Sequence, residues 1–170
     1  LLVGDAISPK NPIVRLAGFL HDVGKVIAAE IQEDGDIKFI GHEKDGVDPI
    51  FKELTALKFS NDDIKTIIGL ITLHMRQIEN VKAKTVRRLL IALSEFNLTW
   101  KEWLRLRLAD RKGNLSKEPH GREELRTYVL QFHRVLHPAE NVNVALKITD
   151  LVVNGNDVIE LLNIKPSAQV

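Results

Sequence analysis

Apolar residues along this chain recur mostly at intervals of three and four, the spacing of helices with one buried face, and strict alternation is scarce. Asn11-Pro12 supplies a cap and a first-turn proline, and Val14, Leu16, Ala17, Leu20 and Val26 predict a strongly apolar helix running to about Ala29 at the centre of the core. Glu33-Asp34-Gly35-Asp36 reads as a turn, and Ile37 to Ile40 as a short extended stretch. Val47, Ile50, Phe51, Leu54 and Leu57 then share a helical face, with Pro49 expected to mark where that helix begins. Ser60-Asn61-Asp62-Asp63 has the form of a capping box, followed by Ile64, Ile67, Ile68 and Ile71, with His74 on the same face. Val86, Leu89, Leu90 and Leu93 give a further helix. Thr99-Trp100-Lys101-Glu102 is a second capping box, opening a helix in which Trp103, Leu106 and Asp110 share a side and which Gly113-Asn114 ends. From about Pro119 to Leu136 an amphipathic stretch carries Leu125, Val129, Phe132 and Val135 inward, and Pro138 is expected to start a new element. Leu151-Val152-Val153 leads through the turn Asn154-Gly155-Asn156-Asp157 to a short helix ending before Pro166. The pattern predicts an all-α fold, with a helical bundle over residues 1–137 and a short C-terminal helical extension over residues 138–170.

With 170 residues, 44% of them hydrophobic, the chain can bury one sizeable core. It has no cysteine, which removes disulfides, thiolate ligands and cysteine nucleophiles together and leaves histidine and carboxylate as the strong metal ligands. No apolar run approaches the roughly 20 residues a membrane-spanning helix needs, and the opening Leu1-Leu2-Val3-Gly4-Asp5-Ala6-Ile7 lacks the form of a secretory signal. A soluble, cytoplasmic protein without a membrane partner is the expectation. Lysine plus arginine number 24 against 23 acidic residues, so affinity for RNA would have to come from local clusters. The first residue is Leu, not Met, which leads us to expect an N-terminal neighbour.

Five ligand-type residues fall at helix ends or on inward faces: His21, Asp22, His42, His74 and Asp110. His21 and Asp22 are adjacent within the most apolar predicted helix, where an unpaired carboxylate is strongly disfavoured unless a cation or hydrogen-bond partner neutralises it. Imidazole and carboxylate together suit a divalent ion such as Ni, Mn, Mg, Fe or Zn. Each residue also has a structural reading: His74 as a core histidine, Asp110 as an ion-pair partner of Arg111 and Lys112, and Lys25 as a solvated lysine.

Leu20-His21-Asp22-Val23-Gly24-Lys25 resembles the LHDIGK signature of the HD phosphohydrolase superfamily. Phe39-Ile40-Gly41-His42-Glu43-Lys44-Asp45-Gly46 is similar to the FxGHExxG element of tRNA nucleotidyltransferases, and Leu104 to Gly113 to the family's later segment carrying an Asp. Val153 to Ser167, with Asn154-Gly155-Asn156-Asp157 and Ile164-Lys165-Pro166, looks like the NGxDLxxxGIKPGP element of the CCA-adding and poly(A) polymerase group. The resemblance implies an HD-domain helical bundle, with His21, Asp22 and Asp110 as metal ligands, His42 and His74 in the places of further histidines, and Asp22 and Lys25 in catalysis. Lys25 matches a lysine expected to meet a substrate phosphate. It implies metal-dependent phosphohydrolysis of 2′,3′-cyclic phosphates, 2′-nucleotides or terminal phosphates, in which a divalent ion activates water and offsets phosphoryl charge. The substrate would be RNA, tRNA in particular, or a small phosphorylated nucleotide. Two features depart from the family: Leu1 to Leu20 holds no upstream histidine, and no Gly-Ser followed by an Asp-x-Asp pair supplies a nucleotidyltransferase site, Asp34-Gly35-Asp36 being a turn.

Lys82, Lys84, Arg87 and Arg88 form one basic cluster, and Arg105 and Arg107 belong to another beside Trp100, both able to contact RNA phosphates. Either cluster could equally be an ordinary solvated face. Two function classes follow: a phosphohydrolase domain of a tRNA nucleotidyltransferase-like protein, or a non-catalytic HD scaffold supporting tRNA binding by a separate nucleotidyltransferase head. The grouping of His21, Asp22, His42 and Asp110 favours the first, because a scaffold could replace buried polar residues with apolar ones.

Overall fold

The structure, a computed structural model, describes residues 1–76, 83–114, 122–141, 156–157 and 159. Helices α1 (Leu2–Ala6), α2 (Pro12–Leu20) and α3 (Lys25–Ala28) precede a two-stranded antiparallel hairpin of β1 (Glu30–Ile31) and β2 (Ile37–Lys38). Then follow α4 (His42–Asp45), α5 (Val47–Ala56), α6 (Asn61–Leu73), α7 (Ala83–Glu95), α8 (Trp100–Gly113) and α9 (Arg122–Asn141). Among the described residues the fold is all-α apart from this hairpin, as the periodicity predicts. Among the described residues no helix is long and apolar enough to cross a membrane.

Helix α2 lies at the centre, packed against α1, α6 and α8, while α6 also meets α4 and α5. Ala17 of α2, Ile67, Leu70 and Ile71 of α6, and Trp103 and Leu106 of α8 are fully buried. Both predicted N-caps form, and the one at Thr99 is a reciprocal capping box, whereas at Ser60 the Asp63 carboxylate takes the hydroxyl and not the backbone N–H. Ser60 Oγ accepts from the Asp63 backbone N–H at 3.1 Å, and the Thr99 backbone N–H donates to Glu102 Oε2 at 2.9 Å.

Three expectations are corrected. The central apolar helix does not run to Ala29: α2 stops at Leu20, His21 to Gly24 form a turn, and α3 is a separate short helix, so His21 and Asp22 lie at a helix end. Apolar spacing misled here because Val26 and Ile27 continue the pattern while remaining 87% and 61% exposed. Helix α5 begins at Val47, not Pro49, because a proline in the first turn forfeits no intrahelical bond. Helix α9 continues through Pro138 to Asn141, forgoing the bond a proline nitrogen cannot donate.

Val129 and Val135 of α9 are half-buried and Leu136 is fully buried. The side chains of Leu125 and Phe132, the residue Lys82, and nearly all of the segment from Leu151 to Ser167 lie outside the described residues.

Candidate metal centre

The turn after α2 carries His21 and Asp22, the start of α4 carries His42, the C-terminus of α6 carries His74, and α8 contributes Asp110. All five sequence-predicted ligands therefore converge. The three histidines are 5% or less exposed at the side chain, whereas Asp22 and Asp110 remain partly open to solvent.

The histidines share one local device. His21 Nδ1 stands 2.9 Å from the Gly18 carbonyl, His42 Nδ1 2.8 Å from that of Phe39, and His74 Nδ1 2.6 Å from that of Ile71, each three residues back. A carbonyl can only accept, so each ring places its proton on Nδ1 and turns Nε2 inward, the orientation that a carbonyl behind the ring imposes on metal-binding imidazoles. Asp22 divides its carboxylate among them. Oδ2 lies 3.2 Å from His21 Nε2, and Oδ1 lies 3.3 Å from His42 Nε2 and 4.0 Å from His74 Nε2. Asp110 Oδ1 approaches His21 Nε2 to 3.5 Å. His21, Asp22 and His74 each offer one ligand atom within 4.8 Å of the others.

Two observations show that this donor set suits a cation. His21 Nε2 is buried and makes no hydrogen bond of proper geometry, although two carboxylates stand beside it. The Nε2 atoms of His42 and His74 face each other at 3.3 Å, and with both Nδ1 atoms donating, two lone pairs oppose each other unless a proton or cation intervenes. Nitrogen and carboxylate donors without thiolate match borderline or hard divalent ions.

Local charge follows from the same packing. Burial opposes a charged His21, but Asp110 and Asp22 outweigh it and raise its pKa to about 9. Burial pushes His74 down to about 4. Asp22 and Asp110 resist the upward push of burial and lie below the usual carboxylate range, Asp22 through His21 and Lys25, Asp110 mainly through His21.

The signs give a prediction for metal-free protein. His21, raised, contributes stability below its ordinary value of 6.5 and loses it as pH climbs through about 9. His74, depressed, contributes above 6.5 and loses it as pH falls through about 4. Thermal melting of chelated protein should therefore peak near pH 6.5 and decline on both sides. Metal affinity should instead rise about tenfold per pH unit up to about 9, because loading displaces the His21 proton. Chelator-competition titrations between pH 6 and 9 check this, and a flat profile would contradict the assigned protonation.

Helix α8 holds the far wall through a strip the sequence reading did not identify. Trp103 Nε1 donates to the Leu73 carbonyl at 2.8 Å, and Arg107 donates to the His74 carbonyl at 2.7 Å. These are carbonyls at the end of α6, beyond the reach of its intrahelical bonds, and that of Leu73 also accepts from the Arg76 backbone N–H at 3.1 Å. Arg107 also stands 3.8 Å from Asp110. Sequence alone groups it with RNA-contacting cations, but its guanidinium meets the His74 main chain and stands near the Asp110 carboxylate. The spacing Trp103, Arg107, Asp110 at i, i+4 and i+7 was the available signal. Replacing Arg107 with Leu should lower metal affinity about tenfold to a hundredfold by releasing His74 and Asp110, with Arg107→Lys giving partial rescue. Equal affinity in all three proteins would show that the strip is purely structural.

Of the other predicted residues, Lys25 Nζ meets Asp22 Oδ2 at 2.8 Å, is about two-fifths exposed, and lies 5.6 Å from the Phe39 ring centre. Lys84, Arg87 and Arg88 share the exposed face of α7, while Arg105 is exposed on α8.

The HD domain family model matches residues 3–95, which carry four of the five converging residues. The chain belongs to the HD domain family. Its fold is of the metal-dependent phosphohydrolase type, and HD domains bind divalent metals. Among curated relatives, the chain is 31% identical over 160 residues to the A-adding tRNA nucleotidyltransferase of Deinococcus radiodurans, covering 93% of this chain and 35% of that protein. It is 32% identical over 82 residues to the CC-adding tRNA nucleotidyltransferase of Thermus thermophilus, covering 47% of this chain and 19% of that protein. The matched region thus spans about a third or less of each relative. No solved structure matches the chain significantly.

Proposed function

We propose that this HD domain is a metal-dependent phosphohydrolase of phosphorylated nucleotides or RNA ends, within a cytoplasmic protein resembling tRNA nucleotidyltransferases. The observation that carries the proposal is the inward convergence of three buried Nε2 atoms around the divided Asp22 carboxylate. His21, Asp22, His42, His74 and Asp110 would hold the ion or ions. A bound divalent ion supplies Lewis acidity and a water that ionises near neutral pH.

The remaining groups prepare the site. Backbone carbonyls fix the three imidazoles, so little reorganisation accompanies ligand binding. Lys25 anchors Asp22 while keeping its ammonium at the mouth, where it can meet a phosphoryl oxygen. Burial of the histidines limits water to the open side marked by Asp22 and Asp110.

Relatives named for adding A or CC to tRNA favour an RNA-linked substrate, and the exposed strip Lys84, Arg87 and Arg88 offers phosphate contacts. The reactions to test are hydrolysis of 2′,3′-cyclic AMP, 2′-AMP and a terminal phosphomonoester, with Ni, Mn and Mg supplied in turn. The expected result is turnover of at least one substrate, abolished by chelation. Loaded protein with no turnover would favour the non-catalytic scaffold supporting a nucleotidyltransferase head.

A further inference from the structure

Helix α8 separates two different environments. At about 100° per residue, Asp110 faces the histidine cluster, while Arg105, Leu108 and Lys112 project from the opposite side of the helix. That side forms one wall of a cavity of about 470 Å3, shared with the α1–α2 loop and α9. None of its lining residues belongs to the histidine cluster.

The chemistry of the cavity is asymmetric. Arg105, Lys112 and Arg126 contribute three exposed cations, and among the described residues no acidic one lines it. Ile7, Leu108 and Val129 give it an apolar floor. Ser8 and Asn11 add neutral polar groups where α2 begins. Asn11 is the N-cap of α2 but makes no side-chain capping bond, so neither its carboxamide nor the first-turn N–H groups are used by that cap.

A ligand complementary to these walls carries a concentrated negative charge, a flat apolar face and polar edges. Paired guanidinium groups recognise phosphate in a fixed fork, and a helix start adds backbone donors for an anion. An apolar floor with neutral amides alongside accommodates a base, and the volume lies within the range of small-molecule pockets, about 300–1,000 Å3. We propose that this cavity is a second binding site, which takes one phosphorylated nucleotide, free or within a single-stranded RNA. The choice of ligand deepens the reading of the protein as acting on phosphorylated nucleotides or RNA, but the site does not depend on bound metal.

The test uses the full chain and a fluorescent single-stranded RNA hexamer followed by anisotropy, with AMP and inorganic phosphate as competitors. Binding is measured with chelator present throughout, so that occupancy of this cavity is read apart from the metal centre. Arg105→Gln with Arg126→Gln should weaken binding at least tenfold and flatten the log–log salt slope by about 0.7, the value for one lost phosphate contact on a single strand. AMP should displace the hexamer at least tenfold better than phosphate. If the double variant loses helical circular dichroism, Lys112→Gln alone should still weaken binding at least threefold. Undiminished binding in the folded variants, or phosphate competing as well as AMP, would overturn the proposal.

Discussion

Replacing Asp22 with Asn should abolish stoichiometric metal binding while leaving the fold in place. One carboxylate oxygen faces His21 and the other faces His42 and His74, so Asp22 is the carboxylate, among the described residues, that meets all three histidines. Asparagine preserves shape but removes the charge and turns one acceptor into a donor aimed at imidazole nitrogens. Loss of an outer-shell partner typically lowers metal affinity by about ten to a hundredfold, so loss of this central ligand should exceed about a hundredfold. The side chain is 38% exposed, and its removal takes no apolar contact from the core. Metal content, with circular dichroism as a control for folding, reads the outcome. Retention of metal by folded Asp22→Asn would remove Asp22 from the ligand set.

Gly24→Ala should destabilise the protein by about 3 kcal/mol, the upper range for forcing atoms into filled space. Gly24 has φ of −62°, so its backbone is compatible with any residue, and helix propensity alone would favour alanine by nearly 1 kcal/mol. Space reverses that sign. A Cβ on Gly24 would collide with the His42 carbonyl oxygen and come within 2.7 Å of the Gly46 nitrogen, both of them backbone atoms that cannot rotate away. The turn after α2 and helix α4 would have to separate, drawing His42 away from Asp22. Denaturant unfolding should therefore show lower stability, and metal titration should show at least tenfold weaker binding. A variant as stable as wild type, or more so, would mean that the two backbones are not in contact.

These two positions show where the sequence was legible. The apolar spacing of Ile64, Ile67 and Ile71 and the side-chain caps at Ser60 and Thr99 report directly on helices, because burial and capping are local properties of side-chain order. The five converging residues were recognisable by type and by their family resemblance. Their mechanism of convergence was not. It depends on backbone carbonyls at Gly18, Phe39 and Ile71, which every residue possesses and no sequence pattern marks. The space requirement at Gly24 depends on a segment about twenty residues away in the chain, whereas Gly41 announces itself locally by a left-handed φ of 81° at the start of α4. Arg107 looked like one more cation in a basic run because its partner is the main chain at the end of α6. Val26 and Ile27 extended a helical pattern into a region where burial does not follow it.

The proposed divalent metal centre consists of His21, Asp22, His42, His74 and Asp110. Elemental analysis of protein purified without chelator, beside His21→Ala, tests it most directly. Stoichiometric transition metal is expected in the wild type, with its loss from the folded variant. Wild-type protein free of metal, and still failing to load on titration with Ni, Mn, Fe, Zn or Mg, would contradict it.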